Sequence, residues 1–151
     1  MDNAKVIHLG CGVHRLPGWE NHDSDVDITR RLPWQDSTVD FIHIEHCLEH
    51  VNCSQGFKFM LEALRILKPG AVIRICVPDT TRSMPPSKRA DLYTNHGHQM
   101  AYSTTMLRLM LETAGFREVR VAEFNEKTDS HWKTIGREAD EMETLRVEAV
   151  K

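Results

Sequence analysis

Apolar residues in this chain fall into short runs separated by polar, turn-rich stretches. Val6-Ile7-His8-Leu9 is a short β-branched run that stops at Gly10-Cys11-Gly12, a pattern that predicts a buried strand followed by a tight turn where backbone passes close to a ligand or another segment. Residues 39–44 alternate and are β-branched, which predicts a second strand. Between Asn52 and Gly70 the period changes to 3.6. Phe57, Met60, Leu61, Leu64 and Leu67 or Lys68 share one helical face, Asn52 or Ser54 can cap the start, and Lys68-Pro69-Gly70 ends it. Residues 71–77 are almost continuously apolar, as in a parallel strand covered on both faces, and the run ends at Pro78-Asp79. A second helix is capped by Ser103, carries Leu107, Met110, Leu111 and Ala114 on one face, and stops at Gly115. Residues 116–124 and 144–150 complete the predicted strands.

The intervening polar stretches read as loops. Pro17-Gly18 is a turn within residues 13–21, residues 23–28 are short and acidic, and residues 32–37 turn around Trp34. Residues 80–97 are polar, with a short helix expected over 88–93, and residues 129–142 carry no clear pattern. Alternating strands and helices imply right-handed βαβ units and a doubly wound α/β fold. The chain is read as one domain over residues 1–151. In such sheets ligands sit beyond the C-terminal ends of the strands. Gly10 to Gly12, Glu45-His46 and Pro78-Asp79 therefore converge on one edge.

Composition removes several function classes. Hydrophobic residues make up 40%, charged residues 27%, and the net charge is −3, so no strong positive field is offered to nucleic acid or to an anionic membrane. Arg30-Arg31 and Lys88-Arg89 are isolated pairs that read as solvated surface. No stretch approaches the ~18–20 apolar residues of a membrane helix, and the first residues lack a signal-peptide pattern. Cys11, Cys47, Cys53 and Cys76 lie in or beside apolar runs, as reduced thiols do, so a cytoplasmic location is expected.

Several segments, in order, resemble small class I S-adenosylmethionine-dependent methyltransferases. These are Leu9-Gly10-Cys11-Gly12, Pro17-Gly18-Trp19-Glu20-Asn21-His22-Asp23, Leu32-Pro33-Trp34-Gln35-Asp36-Ser37-Thr38-Val39-Asp40, and His46-Cys47-Leu48-Glu49-His50-Val51. Residues 62–70 resemble the family's "E-x-x-R-V-L-K-P-G-G" helix end, residues 111–116 its "L-x-x-A-G-F", and residues 145–151 its closing strand. The resemblance implies a Rossmann-like, mostly parallel class I sheet and S-adenosylmethionine as cofactor. It places Gly10, Cys11 and Gly12 against the amino-acid end of the cofactor and Asp23 on the ribose hydroxyls, where a carboxylate serves well because it only accepts. Asp27 and Ile28 match the adenine position, and Glu45 and His46 the methyl end. The reaction implied is transfer of a methyl group to a small, polar, saccharide-type or metabolite acceptor, with His46 or His98 as general base and His98 favoured; His96 is a third choice.

The chain also departs from that pattern. Only ten residues separate Gly12 from Asp23 and three separate Asp23 from Asp27, fewer than a parallel crossover with a helix requires. The second and third strands are therefore expected to be abbreviated. From this follows either a shallow adenosine pocket or a second subunit of a homo-oligomer that supplies the missing wall. It also keeps open a non-catalytic domain that acts as a ligand- or partner-binding module. A nicotinamide site is set aside, because Arg15 stands where its fingerprint needs a third glycine. A metal centre on His46 and His50, four apart, with His43, Cys47, Cys53, His96 and His98 nearby, is likewise set aside, because no Cys-x-x-Cys pair supports it and Leu48-Glu49-His50 belongs to the methyltransferase pattern. No metal is expected.

Overall fold

The computed structural model describes residues 4–80, 85–87, 90, 97–123 and 144–151. The helix expected over 88–93, His96 and residues 129–142 fall wholly or largely outside them. The described elements are β1 (Val6–Leu9), β2 (Glu20–His22), β3 (Val39–Glu45), a single 3-10 turn (Leu48–His50), α1 (Cys53–Ile66), β4 (Leu67–Pro78), α2 (Thr104–Ala114), β5 (Arg117–Val121) and β6 (Thr144–Val150). The strands form one sheet in the order β2-β1-β3-β4-β6-β5. β2, β1, β3 and β4 run parallel, and only β6 enters antiparallel, pairing with both β4 and β5. The mostly parallel α/β sheet expected from the sequence is borne out.

One face of the sheet carries the main core. Ile7, Leu9, Ile42, Ile44, Ile73, Ile75 and Val77 meet Phe59, Met60, Ala63 and Ile66 of α1 and Leu107, Met110 and Leu111 of α2. The stripe of α2 is the one expected. That of α1 is rotated: Leu61 is exposed and Phe57 and Leu64 are only partly buried, while Phe59, Ala63 and Ile66 are buried. Two apolar stripes satisfy the 3.6 period in this segment, and docking on the sheet selects between them. α1 also ends earlier than expected. Leu67 pairs with Val39, so Leu67 to Gly70 open the strand rather than close the helix. The start of α1 is a capping box in which Asn52 accepts from the Gln55 amide and Gln55 accepts from the Asn52 amide.

Arg65 near the end of α1 anchors the loop over residues 32–36. Its guanidinium donates to the carbonyls of Leu32 and Trp34, to Asp36 at 2.7 Å, and to Glu62 at 2.7 Å, while Glu62 accepts from the Leu32 amide. These hydrogen bonds hold the carboxyls of Glu62 and Asp36 below their usual range.

The expected abbreviation lies at β2. This three-residue edge strand follows β1 through residues 10–19 with no helix between them. Asn21 substitutes for the missing scaffold. Its side chain accepts from the Leu16 amide at 2.7 Å and donates to the carbonyls of Leu16 and Trp19, folding the loop back over the second face. There Leu16 and Trp19 cover Val6, Phe41 and Val72 in a small separate cluster.

Beside that cluster the second face is polar. Asn21, His8, His43, Arg74, Glu148 and Arg120 stand in register across all six strands. His8, His43, Arg74 and Glu148 are each at most 4% exposed. Arg74 donates to Glu148 at 2.8 Å and to the Glu123 carbonyl, and Arg120 pairs with the other Glu148 oxygen. Burial pushes the His43 imidazole pKa down, toward the neutral ring. Arg74→Ala strips Glu148 of its buried partner and is expected to cost about 3–5 kcal/mol, measured as a lower urea midpoint at unchanged slope.

Candidate functional site

The parallel strands bring the predicted segments to one edge, and the close approach expected at the first glycine is present. Gly10 has φ +73°, and a β-carbon there would lie 2.7 Å from the Glu45 carbonyl oxygen and 2.8 Å from the Cys47 β-carbon. The turn after β1 therefore rests directly on the end of β3. Gly12 differs: its φ is +48°, but a β-carbon would meet nothing within 4 Å, so the space over it is open. Between them Cys11 is buried, and its amide donates to the His22 carbonyl, tying the turn to β2.

Asp23 follows β2 directly and is exposed. Its charge reaches both neighbouring thiols. Burial first, then Glu49 and Asp23, push the Cys47 thiol up to about 12, and burial with Asp23 and Asp25 outweighs Arg15 to raise Cys11. Asp25 accepts from the Asp23 amide and lies 2.6 Å from His22 Nδ1, contacts that hold its carboxyl low. Asp27 closes a local turn. Its Oδ1 accepts from the Thr29 hydroxyl and amide, and its Oδ2 from Arg30, which also lowers its pKa. Ile28 is buried in the main core.

The end of β3 divides its side chains. Glu45 faces the polar side of the sheet, its Oε2 3.7 Å from Nε2 of both His8 and His43. His46 follows with φ +45°, a conformation rarely held by a non-glycine residue and one that surrounding contacts must maintain. Its amide donates to the Cys76 carbonyl, its Nδ1 lies 3.3 Å from Glu49 Oε1, and its Nε2 lies 3.0 Å from the Thr144 hydroxyl. The tautomer with its proton on Nδ1 would leave Nε2 to accept from Thr144.

Glu49 is given no role by its sequence alone. It is 1% exposed, and His98 Nε2 lies 4.0 Å from the same Oε1 that faces His46. The amides of Gln99 and Met100 donate to the Glu49 carbonyl, and the Gln99 side chain donates to the His50 carbonyl, so the segment bearing His98 docks on the 3-10 turn. The structure thus joins the two base candidates, His46 and His98, around one buried carboxylate. The available signal was Leu48-Glu49-His50 itself; its burial was not readable. The segment is not α-helical from His46 to His50, which removes the shared helical face on which a His46–His50 metal pair depended.

Comparison with known proteins relates the fold to methyltransferases. Residues 9–75 match the family model described as "Methyltransferase domain". Over 86 residues the chain is 30% identical to norajmaline N-methyltransferase of Rauvolfia serpentina, a match that covers 56% of this chain and 28% of that enzyme. The chain thus spans little more than a quarter of the length of that relative. In fold it is similar to a SAM-dependent methyltransferase from Archaeoglobus fulgidus, with TM-score 0.68, 18% identity, and coverage of 98% of this chain and 86% of that one. It is also similar to phosphoethanolamine N-methyltransferase 2 of Haemonchus contortus in complex with S-adenosyl-L-methionine, with TM-score 0.66, 11% identity, and coverage of 98% and 48%. No described helix is long and apolar enough to cross a membrane.

Gly10→Ala combines a strained φ with a clash against backbone and is expected to destabilise the fold by about 1–3 kcal/mol in chemical denaturation. Alkylation at pH 8 followed by mass spectrometry should modify the exposed Cys53 well before Cys47, whose thiol stays protonated.

Proposed function

We propose that this chain is a class I S-adenosylmethionine-dependent methyltransferase domain that binds its cofactor at the ends of β1 to β3 and transfers the methyl group with His46 as general base, a reading supported by the family-model match and the fold. The single observation that carries the reading is the His46–Glu49 pair set at the edge where Gly10 to Gly12 and Asp23 meet.

The residues suit the cofactor. The open space over Gly12 admits the amino-acid end, Cys11 contributes backbone, and the exposed Asp23 carboxylate offers acceptors to the ribose hydroxyls. Asp27 and Ile28 mark the adenine end. Ile28 packs from the core side, and Asp27, with about four lone-pair positions of which three are used, retains one for an exocyclic amine. The Glu45–His46 segment lines the methyl end. When bound, S-adenosylmethionine supplies a sulfonium methyl group open to in-line displacement.

The protein's part is to orient the acceptor and remove its proton. His46 Nε2 takes that proton once the acceptor's O–H or N–H replaces the Thr144 hydroxyl. Glu49 fixes the tautomer through Nδ1 and balances the imidazolium that forms. His98, 4.0 Å from the same carboxylate, acts on the acceptor side rather than as the primary base, which reverses the preference drawn from sequence. The acceptor is a small polar metabolite or saccharide-type molecule. The working location is the cytoplasm, with neither nucleic acid nor membrane as partner. A second copy of the chain beside the short β2 edge completes the adenosine wall.

Calorimetric titration with S-adenosylhomocysteine should show one site. Asp23→Asn should weaken it about tenfold, as expected for loss of a charge-assisted hydrogen bond. His46→Ala and Glu49→Gln should leave that affinity within about threefold while lowering turnover about 10²–10⁴-fold. Folded protein that ignores S-adenosylhomocysteine would instead mark a non-catalytic binding module. Light scattering that finds a clean monomer would remove the second copy.

A further inference from the structure

His8 and His43 are buried, adjacent and in register on β1 and β3, and they point to the same face as Glu45. Each Nε2 lies 3.7 Å from the same oxygen, Glu45 Oε2. That is too long for a hydrogen bond. Among the described residues neither His8 Nε2 nor either ring nitrogen of His43 has a hydrogen-bond partner, although these side chains are at most 1% exposed. Folded proteins seldom leave buried polar atoms in this condition without an ion or water to meet them.

We infer that His8, His43 and Glu45 form a binding site for one divalent transition-metal ion of the zinc class, set in the polar face of the sheet beside the glycine turn. All three ligand atoms lie within 4.8 Å of one another. A tetrahedral ion about 2.0–2.2 Å from each ligand holds the ligand atoms about 3.3–3.6 Å apart, so the two 3.7 Å separations to Glu45 need a small contraction, and the two imidazoles, within 4.8 Å, move together by up to about 1 Å when the ion binds. Two imidazoles and one carboxylate suit zinc, cobalt or ferrous iron and not magnesium or calcium, which prefer all-oxygen sites. A further position remains for water or the second carboxylate oxygen.

The surroundings are arranged as metal ligands require. His8 Nδ1 lies 3.3 Å from Asn21 Oδ1, and Asn21 is itself locked by the backbone of Leu16 and Trp19. A proton on Nδ1 leaves the Nε2 lone pair directed at Glu45. The next cation in the row, Arg74, donates to Glu148, which also pairs with Arg120. The ion would clamp β1 to β3 two residues before Gly10, on the side of the sheet where no helix follows the glycine turn. The expectation of no metal rested on His46 and His50 and did not consider this trio.

The test is metal binding by the full chain after chelator treatment and desalting. Cobalt(II) titration followed by visible absorption, and zinc(II) titration followed by elemental analysis, should both saturate at one equivalent, and zinc should raise the melting temperature. His43→Phe and His8→Gln should each weaken binding at least tenfold, with folding checked by circular dichroism. If His43→Phe does not fold, His8→Gln decides. His50→Ala, which breaks a second cluster of Glu49, His50 and His98, should leave the ion in place. Folded wild-type protein that takes up no ion at 100 micromolar (about 5–6 kcal/mol of binding) overturns the inference. So does an ion lost with His50→Ala and retained in His8→Gln.

Discussion

The contact between Gly10 and the end of β3 is the constraint on which the rest of the site depends. β1 and β3 are neighbours in a parallel sheet, and at their C-terminal ends the turn of one lies against the carbonyl of the other. No side chain fits there. Because the two strand ends are in contact, the glycine turn and the segment after β3 lie at one edge of the sheet, and the strained His46 backbone begins where β3 stops. The apolar register Ile7–Ile42 and Leu9–Ile44 holds this approach from the core side.

A short connection after the glycine turn has consequences on the opposite face. Where a crossover helix would bring its own apolar stripe, residues 10–19 bring only Leu16 and Trp19, fastened by Asn21. The strands beneath answer with polar side chains. Each row member must then find a partner or lose hydration without return. Arg74 and Arg120 both pair with Glu148, while His8 and His43 face Glu45 at distances that a hydrogen bond does not explain.

Two family-like segments acquire their physical reason from contacts far apart in the chain. Glu62 and Arg65 of α1 satisfy the backbone of residues 32–36, so the two segments form one fastening between the helix and the approach to β3. Leu48-Glu49-His50 places one carboxylate where it meets His46 from its own turn and His98 from a segment forty-nine residues later. The buried carboxylate lies 3.3 Å from His46 Nδ1 and 4.0 Å from His98 Nε2.

By itself the sequence determined the elements whose cause is local. The β-branched runs of β1, β3 and β6, the Asn52 and Ser103 caps, the Gly115 stop and the Leu107–Met110–Leu111 stripe all follow from side-chain periodicity and capping chemistry, which act over a few residues. The likeness of residues 9–75 to methyltransferase domains was legible for the same reason, since its segments are contiguous. Tertiary structure decided the rest. It chose which of two stripes on α1 is buried, because only docking distinguishes them. It carried Leu67 from helix to strand, because pairing with Val39 outweighs local periodicity. It grouped His46, Glu49 and His98, and it set His8 and His43 side by side, because strand register lies in no local pattern of one chain segment.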